Sequence, residues 1–139
     1  MDIQSLRQAF IMPTKASDKA GAFDIFMPEA GEATGESRLV GLGFAAAVPD
    51  GHVALLLPRS SSGAKHGLEL NNTCGVIDSD YRGEWKAAIR TKTGLPFSWA
   101  MGDRILQFMV VPIANVTLNQ VESLDETNRG TGGFGSTGK

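Results

Sequence analysis

Three stretches combine residue types that can handle a phosphate or activate water. Residues 58–67 read PRSSSGAKHG. Arg59 offers a planar fork of N–H donors, Ser60, Ser61 and Ser62 offer hydroxyls, and adjacent amides can form an anion-holding nest. Phosphate is the ligand this combination suits best; the plain alternative is a polar loop that follows a strand. The stretch is not a Walker A loop, because the G-x-x-x-x-G-K-[ST] pattern is absent. Lys65 and His66 can add charge. His66 and His52 are the only histidines in the chain, which argues against a histidine-rich metal site.

Residues 75–84 read GVIDSDYRGE. Asp78 follows an apolar pair and should leave a strand end, where a carboxylate can take a proton from water or orient water toward an electrophile. Asp80 lies near the turn, and Tyr81 offers a flat face to a sugar or base. The plain alternative is a set of Asx-turn residues and a surface tyrosine. Residues 101–107 read MGDRILQ. Asp103 and Arg104 suit a structural ion pair. Gln107 shares a strand face with Ile105, so it is either edge-facing or buried with partners.

The fourth stretch is the tail, NRGTGGFGSTGK at residues 128–139. Its glycines let backbone amides converge on an anion. Arg129 adds positive charge, Ser136 and Thr137 add hydroxyls, and Phe134 can lie over a planar base. A frayed terminus is the alternative. Ordering so many glycines costs ~1–2 kcal/mol each in backbone entropy, which makes ordering on a ligand the natural expectation.

These groups need a rigid support. The chain has 139 residues, enough for one domain that buries roughly two-thirds of its unfolded surface. Hydrophobic residues at 42% against 20% charged give a globular composition. A net charge of -2 offers no bulk attraction to nucleic acid or an anionic membrane. A single cysteine, Cys74, excludes an intrachain disulfide framework. The first residues lack a signal-peptide pattern, and no run approaches 18 apolar residues. A cytoplasmic setting is expected, or host cytoplasm for a virus-encoded chain.

Short apolar runs separated by Gly, Pro and Asp predict an all-β barrel or sandwich. Residues 39–49 and 52–58 read as a hairpin around Pro49-Asp50-Gly51. Residues 74–78 and 84–90 read as a second hairpin that turns near Asp80–Gly83. Residues 104–113 are a strong strand candidate, and residues 115–124 alternate as a last strand. Helix signals are thin, at residues 6–11 and an ambiguous 84–90.

Taken together and in order, these stretches resemble the trimeric dUTP pyrophosphatase (dUTPase) family. Its five motifs are matched by GAFDI at 21–25, PRSSSG at 58–63, GVIDSDYRGE at 75–84, GDRILQ at 102–107 and RGTGGFGSTG at 129–138. The resemblance implies a jelly-roll-like, β-clip domain over residues 1–127. Residues 128–139 would form an arm that closes an active site as a lid. It implies a homotrimer whose sites are shared between subunits.

The implied reaction is hydrolysis of dUTP to dUMP and pyrophosphate, with Asp78 activating the attacking water. Tyr81 matches the residue under deoxyribose, and Asn72 to Gly75 match the hairpin that reads the uracil edge. Arg59, Ser60, Ser61 and Gln107 fall on the phosphate side. Arg129, Gly135, Ser136 and Thr137 would grip the substrate from the tail, with Phe134 stacked over uracil. The implied cofactor is Mg2+, held by phosphates and water. Asp24 would lie near its water shell or support the site structurally. Arg59 and Asp103 are expected to pair between the second and fourth motifs.

Several positions depart from the family's commonest pattern: Gly21-Ala22 before Phe23-Asp24, Ser61 after Arg-Ser, and Trp85 after the third motif. Residues 91–101 match nothing distinctive; Trp99 there is expected in the core. The competing readings are a dCTP deaminase-like enzyme and a regulatory binding protein on the same scaffold, with a protein partner.

Overall fold

The computed structural model describes residues 1–133. The chain runs through β1 (Ile3–Ser5), β2 (Phe23–Ile25), β3 (Gly31–Ala33), β4 (Arg38–Gly41), β5 (Phe44–Ala46), β6 (His52–Pro58), helix α1 (Ser60–His66), β7 (Leu68–Leu70), β8 (Gly75–Ile77), β9 (Lys86–Thr91), β10 (Phe97–Trp99) and β11 (Leu106–Pro112). The architecture is predominantly β, with antiparallel pairing, and is consistent with a jelly roll. Four separate hydrogen-bonded sheets form among the described residues, in the orders β1-β5, β10-β3, β2-β11-β6-β8 and β4-β9-β7.

The four-stranded sheet is built on β6 and β11, which pair along their whole length, from Leu106 opposite Pro58 to Pro112 opposite His52. Alternating side chains of these strands feed the core through Ala54, Leu56, Leu106 and Phe108. The core centres on Phe44, Trp85 and Phe108. Trp85 meets Phe108 edge-on at 5.1 Å and 80° and lies 5.1 Å from Phe44. Trp85 is fully buried, and Trp99 is buried as expected. Phe23, partly buried against this core, stacks on Phe108 at 5.2 Å.

Both anticipated hairpins contain real turns but the wrong partners. His52 N–H donates to Pro49 O at 3.1 Å, and Gly51 takes a left-handed φ of 72°. The turn does not fold β6 back on β5, because β5 pairs with β1 while β6 pairs with β11 and β8. Likewise Tyr81 N–H donates to Asp78 O in a turn after β8, yet β8 pairs with β6 and β9 with β4 and β7. In each case the turn passes the chain between sheets, since both flanking strands are needed to cover the core from different sides. The ambiguous 84–90 run is resolved as strand β9.

Two further expectations are corrected. Residues 115–124 form no strand; Val116, Leu118, Val121 and Leu124 are exposed, with Leu118 at 91%. Their alternation finds no ladder among the described residues of one chain. Residues 60–66 are a helix and not a loop. Arg59 precedes it in extended conformation, and Gly67 ends it at φ 65°, donating to Gly63 O at 2.9 Å. Lys65 and His66 in its last turn complement the helix dipole. Two turns with one buried residue, Ser62, are too short and too polar to show an apolar period.

Candidate active site

The second motif sits where β6 ends and α1 begins, and the register of the sheet brings the first and fourth motifs to it. Gln107 of β11 lies between Asp24 of β2 on one side and Leu57 of β6 on the other. Asp24, Arg59, Ser60 and Gln107 line one open cleft, with Gly21 and Ala22 on its rim. Ser60 is exposed at the first helical position, and Gln107 Nε2 donates to Pro58 O at 3.1 Å. Guanidinium, hydroxyl and amide donors around a common space suit an anion.

Asp24 is the electrostatic centre of this group. It is only 5% exposed, so its charge requires partners. Arg59 Nε lies 2.9 Å from Oδ1, and Arg104 Nη1 donates to Oδ2 at 3.2 Å. Arg59 also donates through Nη1 to the Arg104 carbonyl at 3.0 Å. The expected Arg59–Asp103 pair is therefore replaced by Arg59–Asp24. The Asp103 carboxylate instead accepts from Ala100 N–H at 2.8 Å and closes its own turn, so it does not pair with Arg104 either. Arg104 was missed as a partner of Asp24. A carboxylate between two apolar strand residues, Phe23 and Ile25, was the signal that buried cations were needed.

Ser61 points away from this group. It lines a neighbouring cleft with Ser62, His66, Asp103 and Arg104, which Arg59 also borders.

The third motif forms a second cleft. Asp78 and Tyr81 line it together with Val76, Ile77 and Lys86; Lys86 had not been singled out. Asp78 is exposed just past the end of β8. The Tyr81 hydroxyl donates to Glu84 O at 3.0 Å, and Arg82 Nη1 ties the turn to Ser79 O at 2.7 Å. The segment preceding β8 is a tight turn between two sheets and not a paired hairpin. Cys74 N–H donates to Asn72 O at 2.7 Å, Asn72 Nδ2 donates to Cys74 O at 3.2 Å, and Thr73 has a left-handed φ of 68°. A β-branched residue in that region is strained, and such strain gathers at ligand sites. Gly75 is pressed on β6, since a Cβ there would lie 2.9 Å from Leu56 Cβ.

The two clefts lie at different levels of the same sheet. Ile77 pairs with Ala54 and Gln107 with Leu57, a separation of three residues along β6, or ~10 Å at ~3.3 Å per residue. Asp78 lies beyond Ile77, farther still from Ser60. Arg129 is exposed, and its Nε donates to Gly132 O at 2.9 Å within its own turn. Phe134, Gly135, Ser136 and Thr137 lie outside the described residues.

Sequence and fold comparisons agree with this arrangement. The dUTPase family model matches residues 8–138. The chain belongs to the dUTPase family. A deoxyuridine 5'-triphosphate nucleotidohydrolase of Nautilia profundicola is 36% identical over 100% of this chain and 99% of its own length. One from Wolinella succinogenes is 44% identical over 93% of this chain and 87% of its own length. The dUTPase of Staphylococcus bacteriophage 80alpha, solved with dUPNHPP, superposes with a TM-score of 0.89 at 26% identity, covering 99% of this chain and 98% of that one. Membership supports hydrolysis of the dUTPase type. Of the departures from common dUTPase motifs, Trp85 is absorbed by packing in the core, whereas Gly21-Ala22 and Ser61 border clefts. Among the described residues, no helix is long and apolar enough to cross a membrane.

Proposed function

We propose that the chain is a dUTP diphosphatase that hydrolyses dUTP to dUMP and pyrophosphate. The observation that carries this reading is the division of motif residues into a donor-rich cleft at Ser60 and Gln107 and a carboxylate–tyrosine cleft at Asp78 and Tyr81. Each is half of a nucleotide site, one suited to phosphates and the other to sugar and water. A complete site then needs the second cleft of a neighbouring copy, which supports a homotrimer with shared sites.

Within such a site Asp78 accepts a proton from water, and the water oxygen attacks the α-phosphorus. The bond to the α–β bridging oxygen breaks, and pyrophosphate leaves. Arg59, Ser60 and Gln107 hold phosphate oxygens, and the N–H and O–H donors stabilise the charge that develops. Tyr81 packs under deoxyribose, where a ribose 2'-hydroxyl would clash. The Asn72–Gly75 turn reads the uracil edge through its backbone. Arg129, Phe134, Gly135, Ser136 and Thr137 close over the substrate from the arm and exclude bulk water. Ser61, which faces the adjoining cleft, serves the phosphate only from the rim.

Among the described residues no cluster of three or more His, Cys, Asp or Glu side chains could hold a metal ion. Each Asp24 oxygen already faces an arginine. This donor set fits Mg2+ that enters on the triphosphate, with Asp24 reaching it through water at most. The chemistry that Mg2+ would supply there is withdrawal of charge from the phosphates.

The deciding experiment is pyrophosphate release from dUTP, dCTP, dTTP and UTP at equal concentration, with ammonia release measured in parallel. Selective pyrophosphate from dUTP supports the proposal; ammonia from dCTP would identify a deaminase. No reaction from a folded trimer would favour the regulatory reading. That reading gains support from the phage 80alpha protein, described with phage dUTPases that control transfer of virulence genes.

A further inference from the structure

Asp24 receives cations from two elements that the sequence keeps far apart. Arg59 follows β6, and Arg104 precedes β11. The two arginines do not share a position. Arg59 borders the cleft with Ser60 and Gln107, whereas Arg104 lines the neighbouring cleft and reaches Asp24 from behind. Arg59 spends Nε on Asp24 and one Nη1 hydrogen on the Arg104 carbonyl, so the donors left for a ligand are the second Nη1 hydrogen and those of Nη2. Its orientation is therefore set by where Asp24 is held. The cluster of two guanidinium groups and one carboxylate also carries a net charge of +1, and losing Arg104 would leave it neutral.

We infer that Arg104 is a positioning residue: acting through Asp24, it aims Arg59 at the phosphates and keeps the cluster around the buried carboxylate cationic. This rests on the phosphate reading of the Ser60–Gln107 cleft. Arg104 itself touches no substrate. Its backbone carbonyl, which also holds Arg59, survives any side-chain change, so substitution removes only the side-chain contacts, the pair with Asp24 and the guanidinium 5.8 Å over the Phe26 ring. Pre-orienting a donor strengthens binding by removing ordering entropy at the moment of association.

The test compares the full chain with Arg104→Met, Arg104→Lys, Asp24→Asn and the Arg104→Met/Asp24→Asn double variant. One readout is the Kd for inorganic tripolyphosphate by calorimetry, and the other is KM and kcat for dUTP. Arg104→Met should weaken tripolyphosphate binding and raise KM about tenfold, the effect of one charge-assisted contact, while kcat falls less than about threefold. Arg104→Lys should recover part of the loss, because it keeps the charge without the fork. Arg104→Met should cost less in the Asp24→Asn background than in the wild type, since the aiming contact is already broken there and only the charge is left to lose.

Wild-type Kd and KM in Arg104→Met would overturn the inference, as would a full additional loss in the double variant or a fall confined to kcat. Should Arg104→Met not fold, Arg104→Gln carries the same comparison. A wild-type protein that binds tripolyphosphate but leaves dUTP intact would refute the proposed reaction, and Arg104 would be judged on Kd alone. A wild type that neither binds tripolyphosphate nor cleaves dUTP would overturn both.

Discussion

The Tyr81 ring lies against Gly83, so closely that a Cβ on that glycine would sit 2.7 Å from Tyr81 Cζ. The ring is 43% exposed and tied by its hydroxyl to Glu84 O, so it forms a wall of the Asp78 cleft and not a core side chain. Gly83→Ala should therefore displace the wall without unfolding the protein. The expected stability loss is below about 1 kcal/mol, because Gly83 is only half-buried and the Tyr81 ring it would press is free to move toward solvent. The kcat/KM preference for dUTP over UTP should fall about tenfold, one packing contact's worth of discrimination. Paired kinetics on the two nucleotides check this; an unchanged preference would remove Tyr81 from sugar recognition.

Asp78 is exposed at its strand end and makes no contribution to the core. Asp78→Asn should preserve melting temperature and nucleotide binding while turnover drops by about 10²-fold or more, the usual scale for a lost general base. Near-normal hydrolysis by this variant would refute the assigned role.

Trp85 presents a different balance. Its ring is fully buried between Phe44 and Phe108, and its indole Nε1 has no hydrogen-bond partner. Trp85→Ala should cost about 3–5 kcal/mol through the cavity it leaves. Trp85→Phe should cost less than about 2 kcal/mol, because it loses volume but also removes an unsatisfied buried donor. Urea unfolding of both variants tests the ordering, and equal losses would show that cavity volume does not set the cost.

Residues 113–124 expose Ile113, Val116, Leu118, Val121 and Leu124 in the single chain. If the homotrimer covers them, Leu118→Asp should weaken assembly without destabilising the subunit. Light scattering across a dilution series should show dissociation at a concentration about tenfold or more above that of the wild type, for burial of one leucine worth ~1.5–3 kcal/mol. Unchanged assembly would place Leu118 outside the interface.

Much of this protein can be read without its coordinates. Apolar runs between Gly, Pro and Asp signals located β6 and β11 closely, because strand propensity and turn chemistry are local properties. The motif residues are equally local: Asp78 is expected to leave a strand end and lies just past β8, while Gln107 reads as either edge-facing or buried with partners. The residue types alone suggested donors for phosphate, a carboxylate and a flat ring, with a polar loop and turn residues as the plain alternative.

Pairing and partnership were decided only in three dimensions. The Pro49–Gly51 and Asp78–Tyr81 turns looked like hairpins, yet each hands the chain to another sheet, since strand register is set by which faces the core must cover. Helix α1 stayed hidden because two turns bearing one buried side chain leave no periodic trace. Arg59 could have paired with either acidic residue nearby in the motifs. It pairs with Asp24 because the β2–β11 ladder buries that carboxylate, and a buried charge must find its counter-ions, whereas exposed Asp103 can satisfy itself within its own turn.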